Sequence, residues 1–333
     1  MNHQKLIVSL SPHVYAPASV RCIMMDVLIA LTPALLWSIY VFGINALRVT
    51  LLGVASCVVF EYLLQRYVLK IQPTVDDGSA AVTGLLLAFN LPSNIPSWMI
   101  ILGCFFAIAV AKLTFGGLGN NPFNPALVGR VFLFVSFPVA MTSWPIPLTN
   151  RFQFIDAMTQ ATPLSIVKEG LKNRIPVVDL MAKIPNYFDL FIGNRAGCIG
   201  EISVLLLFLG GLYLLYRKVI SWQIPVSMIG AIFAFSGILW MIDPSAYMTP
   251  LFQILTGGVF LGAIFMATDM VTSPMMPWGM IIFGAFIGIL TVIIRVFGAY
   301  PEGVSFAILI MNAFVPLIDK LTKPRKYGKV KNV

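Results

Sequence analysis

The chain has 333 residues, 59% of them hydrophobic and only 11% charged, with a mean hydropathy of +0.90. Soluble domains carry about 25% charged residues, so this balance excludes an ordinary water-soluble globule and points to a polytopic membrane protein. The net charge of +9 does not indicate nucleic acid, because six of the 22 basic residues (Lys320, Lys323, Arg325, Lys326, Lys329, Lys331) crowd into the C-terminal tail. A basic run just after an apolar one reads as an anchor on the cytoplasmic face, in contact with anionic lipid.

In chain order, Met1–Arg21 is polar and mixed, without the succession of a secretory signal, so the first span is expected to serve as the insertion signal. Apolar runs then predict ten spans: 22–43, 48–69, 79–92, 96–115 and 124–141, followed by 199–217, 222–242, 250–272, 277–297 and 303–319. The third is short and broken by Leu91-Pro92-Ser93-Asn94. The expected organisation is an N-terminal segment 1–21, a membrane half 22–141, a long polar loop 142–198, a second half 199–319 and a basic tail 320–333.

With both termini cytoplasmic, 14 of the 22 Lys and Arg fall inside: Lys5, Arg21, Arg66, Lys70, Lys112, Arg130, Arg217, Lys218 and the six of the tail. Six of the remaining eight lie in loop 142–198, which is long enough to translocate largely regardless of charge, so that loop is expected outside the cell. A weak internal echo accompanies the equal span count. Thr83-Gly84 matches Thr256-Gly257, and Lys112–Gly117 echoes Arg295–Ala299. Five spans per half require opposite orientations, so the fold expected is an all-α polytopic integral membrane protein of about ten transmembrane helices, arranged as two inverted five-helix halves with broken helices.

Cys22, Cys57, Cys104 and Cys198 are isolated, with no Cys-x-x-Cys pair, which argues against an iron–sulfur cluster built by this chain alone. Three of them fall in apolar runs and read as small core residues. His3 and His13 sit in the N-terminal segment, so no metal or haem site is expected inside the membrane. There is no Gly-x-Gly-x-x-Gly fingerprint for a dinucleotide. An electron carrier of this composition would need an organic or a shared cofactor.

Phe115–Ala126 is unusual at membrane level, because its three glycines and two prolines cannot sustain a helix. Such backbone is tolerated where it lines a cavity, which makes Asn121 and Asn124 candidates for an ion or ligand site; the other reading is a tight turn between spans four and five. Asn124-Pro125-Ala126 also looks like the aquaporin signature, but that family needs two copies and one is present. Met266–Pro274 places Asp269 near the inner end of the eighth span, where an ionisable residue is a functional candidate by default and a headgroup-layer carboxylate otherwise. Asp26 and Glu61 are similar but closer to polar flanks. Asp76-Asp77-Gly78-Ser79 reads as a turn and helix N-cap.

The long loop carries Thr159-Gln160-Ala161-Thr162-Pro163-Leu164. Pro163 biases Thr162 toward extended torsions, and Thr-Pro fits an N-cap followed by the first helical position. A phosphate on that hydroxyl would meet the free N–H groups of a helix start, with Lys168, Lys172 and Arg174 nearby. An ordinary helix cap uses the same residues, and local physics leaves both readings open.

The segments Asp77–Asn90, Asn121–Arg130, Thr159–Leu164, Gly262–Asp269 and Ala299–Gly303 occur in an order that resembles one family over nearly the entire chain. It contains the RnfD component of the Rnf electron-transport complex and its relative, the NqrB component of the sodium-pumping NADH:quinone oxidoreductase. The resemblance implies FMN joined by a phosphoester to Thr162, the last Thr of a motif that includes Thr159, Ala161 and Pro163, and installed by a flavin transferase. Gln160 stands where the family commonly has Gly. A non-covalent riboflavin is also implied, expected near 115–126 or Asp269. The chain would then be a relay component without a complete catalytic site, in a prokaryotic cell membrane, with the other Rnf subunits (A, B, C, E and G) as partners. Its complex would couple ferredoxin and NAD to Na⁺ or H⁺ movement. The alternatives are the quinone-reducing relative and an inverted-repeat solute channel or transporter.

Overall fold

The computed structural model describes residues 19–148, 159–173, 175, 177–181, 184–193 and 195–323. His3, His13 and four of the basic tail residues (Arg325, Lys326, Lys329, Lys331) lie outside them. Among the described residues all regular secondary structure is helical, apart from one isolated bridge between Pro145 and Thr159. The first half contains α1 (Val20–Phe42), α2 (Ile44–Leu63), α3 (Ser79–Phe89), α4 (Ser97–Phe105) and α5 (Pro125–Ser136). A short helix α6 (Pro163–Lys172) follows in the long loop. The second half contains α7 (Val204–Tyr216), α8 (Gln223–Ile242), α9 (Pro250–Leu255), α10 (Pro277–Phe297) and α11 (Val304–Thr322).

Among the described residues, six helical stretches are long and apolar enough to cross a membrane: α1, α2 with its extension to Val68, α4 with its extension to Phe115, α8, α10 and α11. Helices α3, α5 and α7 are apolar but shorter. Each of the ten predicted spans therefore corresponds to a helix or to a broken one, and the chain is an all-α polytopic membrane protein. Helix α1 packs on α7 and α5 on α11, which are the corresponding helices of the two halves.

Several predicted spans differ from the structure in continuity. The eighth, 250–272, is not one helix. Helix α9 stops at Leu255, Gly257 adopts φ +66°, and helix resumes over Val259–Leu261 before a π-helical turn at Gly262–Met266. Between Leu251 and Met266 the only polar side chains are Gln253 and Thr256, so mean hydropathy does not register a break that a left-handed glycine makes. The sixth span starts at Val204 rather than 199, because Cys198–Ser203 forms a turn. The fifth is interrupted at Phe137-Pro138, where α5 ends and a new turn begins.

Breaks at membrane depth leave carbonyl groups without partners, and arginines supply them. Arg295 donates to the Gln253 carbonyl (2.6 Å) and the Thr256 carbonyl (2.9 Å) at the end of α9. Arg48 does the same for Ile95 (2.9 Å) in the turn that follows α3.

Helices α2 and α3 meet at Gly53 and Gly84. A Cβ on Gly84 would lie 2.6 Å from the Gly53 carbonyl oxygen and 2.7 Å from the Val54 Cα, both of them backbone atoms. Gly84→Ala is therefore expected to lower stability by about 1–3 kcal/mol, the usual cost of overpacking. Gly230→Ala, where a Cβ meets nothing within 4 Å, serves as the control. Thermal midpoints in detergent that are the same for both variants would contradict the close approach.

Candidate functional site

Two polar clusters lie at opposite ends of α3, separated by about 16 Å of helix rise.

The first surrounds Thr162. Its backbone is extended (φ −66°, ψ 155°), Pro163 opens α6, and the hydroxyl accepts from the Ser165 amide at 3.2 Å, so the predicted cap is present. Thr159 and Ala161 of the same motif are exposed, whereas Thr162 and Pro163 are buried. Leu164 packs with Phe252 and Leu255, which seats the start of α6 on the broken end of α9. A small pocket there brings Thr162 together with Arg195, Glu201, Gly257 and Glu302.

Behind the pocket is a buried charge network. Arg130 donates to Asn90 and to Glu302, and its guanidinium lies 3.7 Å from Glu201. Arg195 donates to the carbonyls of Leu255 (2.5 Å) and Glu201 (2.6 Å). Arg295 completes the set, with its Nε buried and unpartnered. Three buried arginines thus face two glutamates, and Lys168 reaches the Tyr300 carbonyl at 2.6 Å from α6. Burial lowers the Lys168 ammonium below its ordinary range. The cluster carries more positive than negative charge, which suits an anion. Cys198, Glu201 and Glu302 also bring their donor atoms within 4.8 Å of one another. There Arg130 bridges both carboxylates and holds the place a cation would take.

At the opposite end a cavity of about 340 Å³ opens between α1, α3, the glycine-rich turn and the segment after the π-helical turn. Asn121, Asn124 and Asp269 all line it, so the two expected locations for a second ligand are one place. Asn124 caps α5 and donates to the Met266 carbonyl at 3.2 Å. The Asn121 Oδ1 is buried without a partner. Asp269 accepts from the Thr272 hydroxyl at 3.1 Å. Lys112 also lines the cavity, and its ammonium lies 2.8 Å from each oxygen of Glu61. The walls are otherwise largely apolar, including Val82, Leu86 and Phe265. This combination fits a flat ring with a polar edge.

The residues missed from sequence are these buried ions. The distribution of basic residues assigns Lys112 and Arg130 to cytoplasmic segments and Arg295 to an external one, yet their exposures are 1%, 5% and 5%. Their position in or beside apolar runs is the signal that marks them. Asp26 instead pairs with Arg217 at 3.1 Å and ties α1 to α7. Cys57, Cys104 and Cys198 are buried, and Cys22 is exposed.

A family model described as the NQR2, RnfD, RnfE family matches residues 7–328. The chain is 47% identical over 327 residues, covering 96% of each chain, to the D subunit of the proton-translocating ferredoxin:NAD(+) oxidoreductase complex of Clostridium ljungdahlii. It is also 47% identical to the D subunit of the Na(+)-translocating ferredoxin:NAD(+) oxidoreductase complex of Acetobacterium woodii, covering 99% of this chain and 98% of that one. The D subunit of the ion-translocating oxidoreductase complex of Yersinia enterocolitica is 42% identical, with 96% and 97% covered.

Glu201 lies in the turn ahead of α7, outside the membrane-crossing helices. Burial and the neighbouring Glu302 push its carboxyl up to about 7, against the pull of Arg130 and Arg195. A raised folded-state value means the folded chain holds the proton more tightly. The resulting stabilisation is present below the ordinary 4.5 and is lost as pH rises toward about 7. Glu201→Gln stays neutral, so its thermal midpoint is expected to fall less than that of the wild type across this window. Parallel pH profiles would contradict the assignment.

Proposed function

The chain belongs to the NQR2, RnfD, RnfE family, and on that premise we propose that it is the flavin-bearing membrane subunit of an ion-translocating ferredoxin:NAD oxidoreductase complex. The observation that carries this reading is the Thr162 site: a hydroxyl at the start of α6, beside Arg195, in a cluster where buried arginines outnumber glutamates. A phosphodiester on Thr162 would bring one negative charge to that excess. It would also meet the free N–H groups at the start of α6. Residues Arg195 and Arg295 and the first turn of α6 would hold the phosphoryl group of FMN joined to Thr162. When bound, such a flavin exchanges electrons singly or in pairs, which suits a relay between iron–sulfur centres and NAD.

The partners in this reading are the other Rnf subunits, including those that carry iron–sulfur clusters, together with a flavin transferase that loads Thr162. Both termini face the cytoplasm and the Thr162 loop the opposite side of the cell membrane, in keeping with the concentration of basic residues at the Asp269 end. The cavity at that end takes a non-covalent riboflavin, whose ring edge would meet Asn121, Asn124 and Asp269. The unpartnered Asn121 Oδ1 gives a ring N–H an acceptor. The two relatives at 47% identity are named for different ions, so similarity does not decide between Na⁺ and H⁺. Asp269 is the residue proposed to act on the ion path or on the second flavin.

Denaturing gel electrophoresis of the complex from its native host tests the reading. The wild-type band is expected to fluoresce as a flavin after denaturation, and Thr162→Ala to lose that fluorescence completely. A dark wild-type band, or fluorescence retained by Thr162→Ala, would overturn it.

A further inference from the structure

Glu201 is 3% exposed, and its Oε1 is buried with no hydrogen-bond partner. Two of the three arginines around it direct their guanidinium groups at backbone carbonyls. Arg195 donates to those of Leu255 and Glu201, and Arg295 to those of Gln253 and Thr256. Arg130 donates to Glu302 and stands 3.7 Å from the Glu201 Oε1, beyond hydrogen-bond reach. From α6, Lys168 is turned to the carbonyls of Arg295 and Tyr300. The Cys198 thiol, a weak donor, is the side chain that serves the Glu201 carboxyl. A buried carboxylate with one oxygen unmet, beside a second carboxylate that takes the shared guanidinium, is the group of this cluster most readily protonated.

The same pocket joins Glu201 to Thr162 and Glu302. With a phosphodiester on Thr162, the three guanidinium groups are matched by two carboxylates and the phosphoryl group, so the site is neutral. An electron added there leaves one negative charge unbalanced in a buried setting, and such a charge raises the proton affinity of a neighbouring carboxylate. Burial and Glu302 already push Glu201 up to about 7.

We propose that Glu201 is a redox-linked proton site, which takes up one proton from the outer solution when an electron reaches the flavin on Thr162 and releases it when that electron moves on. The electron comes from a one-electron iron–sulfur donor in the complex. The proton enters past Glu302, whose side chain is partly exposed, and the one bond made and broken at this residue is the O–H of the Glu201 carboxyl. This inference rests on the reading that Thr162 carries the flavin, and it names the group that compensates the charge of each electron arriving there.

Redox-difference infrared spectroscopy on the purified whole complex reads this proton directly. Between about pH 7 and about pH 9, reduction of the wild type is expected to produce a protonated-carboxyl C=O band that shifts in deuterium oxide. Glu201→Gln and Thr162→Ala are each expected to lose the band completely, and Glu302→Gln to keep it. A wild type without the band at every pH in this range would overturn the proposal. So would a band retained by Glu201→Gln or by Thr162→Ala, or one lost in Glu302→Gln alone.

A second measurement needs no variant. Wild-type complex is prepared with glutamate labelled by carbon-13 at the side-chain carboxyl, and the same band is expected to move to lower frequency. An unmoved band would come from another group and would overturn the assignment. Absence of flavin fluorescence from the denatured wild-type chain would instead remove the reading on which the proposal rests, and the two failures are therefore distinguishable.

Discussion

In hydrocarbon, a helix that breaks must find partners for its freed carbonyls inside the protein, and a charge that enters must bring its own counter-charge. Arginine meets the first demand in this chain because its planar fork spans two carbonyl oxygens at once. Arg295 and Arg195 both hold the end of α9, Arg48 holds the turn after α3, and each fixes a break in place. The breaks are thus rigid features. Thr162 depends on one of them, since α6 is seated on the end of α9 through Leu164, Phe252 and Leu255.

The second demand divides the molecule electrostatically. Near Thr162 the arginines that close the backbone exceed the glutamates that answer them, so the site has unspent positive charge. Near Asp269 the lysine is spent on Glu61 and a carboxylate is left over. Both sites use the same physics with opposite signs. Between them runs a thread of polar contacts through the core: Arg130 to Asn90, Asn90 to the Met266 sulfur at 3.7 Å, and the Met266 carbonyl to Asn124 at 3.2 Å. Met266 is the last residue of the π-helical turn, so its carbonyl lies at a helix end where Asn124 reaches it, and one residue serves both ends.

Much of the candidate site is legible in the amino-acid sequence. The Thr-Pro pair announces a helix start, and Thr162 caps α6 in the structure. The glycine-rich segment announces irregular backbone, and Gly116, Gly117 and Gly119 all have positive φ. Asn121, Asn124 and Asp269 each stand out as site candidates, but nothing in their spacing says that they share a cavity. Ion pairs such as Lys112–Glu61 and Arg130–Glu302 join positions 51 and 172 residues apart. No local pattern encodes such a match.

Composition and hydropathy therefore determined the solvent in which this chain folds, the number of apolar segments and the residues that start or interrupt helices, because these follow from local burial and torsional preference. Tertiary structure decided which charges pair, where a helix breaks without loss of apolarity, and that two separate motifs form one pocket. Those outcomes depend on contacts between segments far apart in sequence. Their energies are set by neighbours that a one-dimensional reading does not contain.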